Sequence, residues 1–123
     1  MPGNPVGWFE IYVNDMPRAK QFYETVFGTR LQRLNSNDIE MWSFPMADGQ
    51  YGASGALVKM TGFSAGGNST LVYFSSADCA LEAERASAAG GHILKPKMPI
   101  GEYGHIALVM DTEGNTIGVH SMQ

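Results

Sequence analysis

Along residues 6 to 13 the side chains alternate in kind: Phe9, Ile11 and Val13 are purely apolar, whereas Trp8, Glu10 and Tyr12 all carry polar groups. That period of two predicts a strand with one face toward a core. The period then changes. Ala19, Phe22, Tyr23, Val26 and Phe27 recur at three- and four-residue spacings, which predicts an amphipathic helix laying this stripe on the strands. Asp15 suits its N-cap, Pro17 its first turn and Gly28 its C-terminal stop. Further strands are predicted at about 29–34, 38–45 and 53–60, with Ala47-Asp48-Gly49 turning the chain between the last two. After a glycine- and hydroxyl-rich connector, Thr61 to Asn68, the pattern resumes as strand 69–75, helix 78–89 and strands at about 92–96, 103–110 and 116–121.

The second half therefore repeats the first. Asp15 and Asp78 each precede a helix and lie 63 residues apart, the glycine stops Gly28 and Gly90 lie 62 apart, and Ala47-Asp48-Gly49 is answered by Thr112-Glu113-Gly114 after 65. A long period seen twice predicts a duplicated β-α-β-β-β module, because solenoid arrays need three or more repeats to bury their faces. The expected fold class is α+β: two modules forming a curled eight-stranded mixed sheet around a pocket, helices outside. Module one is 1–61, the linker 61–68 and module two 68–123 of a single domain.

Parity sorts the faces. Phe9, Ile11, Val13, Val72, Phe74, Ile106, Leu108, Met110, Ile117 and Val119 are expected beneath the helices. The opposite face then collects Trp8, Glu10, Tyr12, Leu71, Tyr73, Ser75, His105, Gly118 and His120. The register of Trp42, Phe44 and Met46 stays open, since Met41 falls on the other face of the same strand.

Composition narrows the partners. The net charge is −4 with eight scattered Lys and Arg, so no basic stripe exists to neutralise nucleic-acid phosphates or an anionic membrane. No apolar run approaches the roughly 20 residues of a membrane span, and residues 1–5 do not read as a signal peptide, so a cytoplasmic protein is expected. The lone cysteine, Cys79, reads as a buried or half-buried thiol at a helix start, with no His or basic residue near it in sequence to activate it.

Phe9-Glu10-Ile11-Tyr12-Val13-Asn14-Asp15, Ala19-Lys20-Gln21-Phe22-Tyr23 with Phe27-Gly28, and Gly104-His105-Ile106-Ala107 followed by Asp111 through Gly118 resemble the vicinal oxygen chelate superfamily. That superfamily includes glyoxalase I, bleomycin-resistance proteins and extradiol dioxygenases. The resemblance covers essentially the whole chain and implies the scaffold more than any one reaction. In metal-dependent members the first and last strands of each module supply His or Glu ligands to a divalent ion, which chelates a substrate with two neighbouring oxygens. The corresponding positions here are Trp8, a residue between Gly55 and Leu57, the region of Leu71, and Gly118, none a ligand. No metal and no other cofactor is expected.

Glu10 and His120 each sit two residues beyond a lost ligand position, about 6 to 7 Å along a strand, and are expected to point into the same pocket. They are the candidate catalytic pair, because a carboxylate beside an imidazole fixes the ring's tautomer and leaves the other nitrogen to take a proton. A plainer reading has them bonded to each other or to a bound solute. As a metal site they lack a third ligand, Tyr73 being a poor one. Trp8, Tyr12, Tyr73, His105 and Gly118 are the candidate ligand-binding residues, the aromatics as stacking walls and His105 at the rim; His92 reads as surface. The leading functional expectation is a binder or sequestering protein for a small, partly aromatic or amphipathic molecule in a metal-free pocket, acting as a homodimer. The alternatives are a lyase, isomerase or dioxygenase using Glu10 and His120, with or without a relocated divalent metal, and an accessory domain with a vestigial pocket.

Overall fold

The computed structural model describes residues 3–35, 38–67, 70–112 and 114–123. Its elements are β1 (Val6–Tyr12), α1 (Met16–Phe27), β2 (Gln32–Leu34), β3 (Glu40–Ser43), β4 (Ser54–Lys59), β5 (Thr70–Ser75), α2 (Cys79–Ala88), β6 (His92–Pro99), β7 (His105–Met110) and β8 (Thr116–Ser121). This is an α+β chain in the expected β-α-β-β-β order, taken twice. Asn68 in the connector, Ser69 at the expected start of the fifth strand and Glu113 in the last turn lie outside the described residues. The contacts group into two compact units, Trp8–Thr70 and Met1–Gly7 with Leu71–Gln123.

In the unit Trp8–Thr70 the strands run in the order β2-β3-β4-β1, antiparallel except for the parallel pair β4 and β1. Asp15 caps α1 by accepting from the Arg18 N–H at 3.1 Å, and Gly28 ends it in the left-handed conformation at φ 61°, where a side chain would be strained. Val13, Met16, Leu31 and Leu57 form the buried core, with Ile11, Ala19, Tyr23, Trp42 and Phe44 packed on it. Ile11 and Val13 therefore face α1, as their alternation implies. The pairing also settles β3: Trp42 lies opposite Leu57 and joins the helix side, while Met41 lies opposite Val58 on the other.

The expected helix stripe is narrower than its spacing suggests. Ala19 and Tyr23 pack beside the buried Met16, but Phe22, Val26 and Phe27 are 57%, 54% and 66% exposed. Only positions three and four residues from one another in line with Met16 reach the strands.

The second unit has the order β5-β8-β7-β6, with β5 and β8 parallel and the remaining pairs antiparallel. Asp78 caps α2 by accepting from the Ala80 N–H at 3.1 Å, and the Cys79 N–H donates to Ser121 Oγ at 3.0 Å. Cys79, Ala83, Ala107, Val109 and Val119 make the core beneath α2, with Ala86 and Ile117 against it. The Cys79 thiol is fully buried there.

On β8 the helix face is the expected one. On β7 it is reversed: Ala107 and Val109, not Ile106, Leu108 and Met110, lie under α2. The underside of α2 is lined with small side chains, so the helix approaches closely enough to favour Ala107 beneath it. By the same parity His105 falls on the helix side, opposite Ser121, and not on the face where it was expected. The β7–β8 turn is built by Asp111, whose carboxylate accepts from the Asn115 backbone N–H at 2.8 Å and its side-chain amide at 3.1 Å. β6 runs to Pro99, beyond the expected Pro96, and carries register shifts around Lys95. Among the described residues no helix is long and apolar enough to cross a membrane.

Candidate functional site

In the unit Trp8–Thr70 the face opposite α1 gathers Trp8, Glu10 and Tyr12 around one carboxylate. The Tyr12 hydroxyl donates to Glu10 Oε1 at 2.8 Å and the Trp8 indole N–H to Oε2 at 3.3 Å. Residues two apart on a strand share a face, which is what brings the three together. Across the sheet Glu10 lies level with Ala56, and Ala56 with Ser43, both buried and small. Tyr12 is itself 5% exposed, and Phe63 stacks on it with ring centroids 5.0 Å apart. Burial first, then the Glu10 charge and the bond to it, push the Tyr12 hydroxyl well above its ordinary value. It is a permanent donor and no base. Glu10 accepts on both oxygens, one bond from each neighbour.

In the other unit Tyr73 lies level with Gly118, and Ser75 with His120, on one face. The Tyr73 ring rests on Gly118 so closely that any β-carbon there would overlap it. Leu108 and Ile106 continue the two rows, opposite Gly118 and His120 respectively. Half-buried His120 places Nε2 2.5 Å from the Tyr103 carbonyl oxygen. A carbonyl only accepts, so Nε2 carries the proton and Nδ1 keeps its lone pair in the neutral ring. His120 Nδ1 has no hydrogen-bond partner among the described residues. Tyr103 belongs to a 3-10 turn, Gly101–Tyr103, within a segment expected to begin a strand, so nothing in the alternation marked its carbonyl.

His105 belongs to different surroundings, with a buried Nδ1 that makes no hydrogen bond among the described residues. Near it Lys97 Nζ meets Asp78 Oδ1 at 2.9 Å. That bond above all, helped by the Ala80 N–H, holds the Asp78 carboxyl below its ordinary value. Alternation could not have found this cluster, whose members come from a helix cap and two strands.

The implied metal positions fit no metal. Trp8 spends its indole N–H on Glu10, Ala56 has no donor, and the Tyr73 ring occupies the space a side chain at Gly118 would need. Among the described residues no group of three or more His, Cys, Asp or Glu side chains is placed to hold an ion.

A duplicated β-α-β-β-β chain whose modules each pair first strand with last in parallel, with polar groups opposite the helix, defines a class of small α+β proteins. The chain belongs to the Glyoxalase/Bleomycin resistance protein/Dioxygenase superfamily, whose family model matches residues 6–119. Among solved structures it is similar to methylmalonyl-CoA epimerase from Mycobacterium tuberculosis, at 15% identity and TM-score 0.70, covering 97% of this chain and 88% of that one. It is also similar to a variant of the Streptomyces coelicolor methylmalonyl-CoA epimerase in complex with 2-nitronate-propionyl-CoA, at 13% identity and TM-score 0.69, covering 96% of each chain. A hypothetical protein from Bacillus halodurans C-125 matches at 8% identity and TM-score 0.71, covering 96% and 94%. At these identities the likeness is one of fold. No curated protein matches the chain.

Proposed function

We propose that this superfamily member binds a small, partly aromatic or amphipathic molecule without a metal, and that His120 is the group that receives it. The observation that carries the reading is the fixed imidazole: Nε2 is committed to the Tyr103 carbonyl, while Nδ1 is uncommitted between exposed Ser75 and half-buried Ile106. Such an acceptor, with an aliphatic side chain on one side and a hydroxyl on the other, suits a ligand with one N–H or O–H donor and an apolar body. Buried Tyr73, seated on Gly118 in the same unit, closes the row next to this imidazole. The protein in this reading is a cytoplasmic homodimer.

A thermal-shift screen of hydroxylated aromatic compounds tests it. A ligand at about 100 times its Kd stabilises the fold by about 2.7 kcal/mol, and His120→Ala should abolish that gain. Elemental analysis of untagged protein should find well under one Zn, Ni, Fe or Mn per chain. A stoichiometric metal released by Glu10→Ala or His120→Ala would overturn the reading.

The uncommitted Nδ1 also favours a second reading, in which His120 removes a proton and the chain is an isomerase or lyase. Deuterium uptake from D2O into a bound ligand, absent in His120→Ala, would establish that activity.

A further inference from the structure

A cavity lies in the unit Trp8–Thr70, where β1 and β4, parallel neighbours, both end. It is a surface cleft of about 370 Å³, within the size range of small-molecule sites. Its wall includes Asn14, Asp38, Glu40, Lys59, Met60 and Phe63. Of these only Phe63, through its stack on Tyr12, adjoins the Glu10 surroundings.

Lys59 is the direct cross-strand partner of Glu40, a pairing that ordinarily closes into a salt bridge. Here it does not: Glu40 Oε2 instead accepts from the Trp42 indole N–H at 3.1 Å, and Lys59 has no ion-pair partner among the described residues. The Asp38 carboxylate likewise has no partner among them. Asn14 accepts from the Ala65 N–H at 3.1 Å through Oδ1, so its amide N–H groups are the end left over. Two acceptors of negative charge therefore share one cleft with an ammonium and an amide donor. Phe63, held by its stack on Tyr12, and Met60 add an apolar wall.

That mixture discriminates among ligands. An anion would meet two carboxylates, and a cation would meet Lys59. A molecule bearing both charges satisfies both ends.

We propose that this cleft binds a small zwitterion with an apolar or aromatic tail, an α-amino acid being the simplest example. Its carboxylate lies toward Lys59 and Asn14, its ammonium toward Asp38 and Glu40, and its tail against Phe63 and Met60.

The probe is L-phenylalanine, titrated into the full chain and followed by calorimetry and by backbone amide NMR. Saturable binding is expected, with shifts concentrated on residues 13–14 and 59–63. L-phenylalanine methyl ester, which lacks the carboxylate, and N-acetyl-L-phenylalanine, which lacks the ammonium, should each bind at least roughly tenfold more weakly, the scale of one lost charge-assisted contact. Lys59→Ala and Asp38→Asn, both at exposed positions that leave the core intact, should weaken phenylalanine to the same extent. The proposal is overturned if no saturation appears at millimolar phenylalanine, if either blocked compound binds as well as the parent, if Lys59→Ala binds unchanged, or if the shifts centre on His120 instead.

Discussion

Glu10 is a buried carboxylate whose two oxygens are answered by Trp8 and Tyr12, so removing one donor exposes the cost of the arrangement. Tyr12→Phe should destabilise the fold by about 1–3 kcal/mol at neutral pH, measured by denaturant unfolding. Its pH dependence is a sharper test. The Tyr12 pKa is raised in the folded chain above the ordinary 10.0, so an unfolded chain loses that proton first and stability falls as pH climbs past 10. Wild type should therefore lose part of its advantage over Tyr12→Phe between neutral pH and alkaline pH, and a constant gap would refute the assignment. Asp78 runs the other way. Its carboxyl is held low chiefly by the Lys97 bond, so its contribution is present at neutral pH and lost as acid protonates it. Lys97→Ala should raise the Asp78 midpoint in a carboxyl NMR titration; an unmoved midpoint would remove Lys97 as the cause.

At the scale of elements, two glycines decide how closely strands and rings approach. The Tyr73 ring lies on Gly118, and Phe9 lies on Gly55 in the other unit. Gly118→Ala should cost about 1–3 kcal/mol by forcing Tyr73 from its rotamer, read as a lowered denaturation midpoint. A neutral effect would mean that the ring moves freely. The helices depend on their caps: Asp15→Ala removes the bond to the Arg18 N–H and should cost about 1 kcal/mol. Much of this level was legible in advance. Asp15, Gly28 and Asp78 mark helix ends by chemistry that acts within a few residues, and β1 and β8 alternate clearly enough to orient themselves. β7 does not, because Ile106 through Met110 are apolar on both faces, and the choice fell to whichever face met the small residues under α2.

For the whole molecule, the homodimer is a proposal with a direct test: light scattering at micromolar concentration should give twice the 13.3 kDa chain mass, and a monomer would remove it. Exposed Phe22, Val26 and Phe27 on α1 are apolar surface that such an assembly could cover.

The amino-acid order by itself determined the duplicated β-α-β-β-β plan, the helix boundaries and the grouping of Trp8, Glu10 and Tyr12, because periodicity, caps and same-face neighbours are local properties of the chain. Tertiary structure decided the rest. It turned His105 toward α2, gave His120 its tautomer through a backbone carbonyl 17 residues away, laid Tyr73 on Gly118 and left Lys59 without Glu40. Each of these depends on strand register or on a competing partner, and a short-range pattern carries no information about which distant group will arrive first.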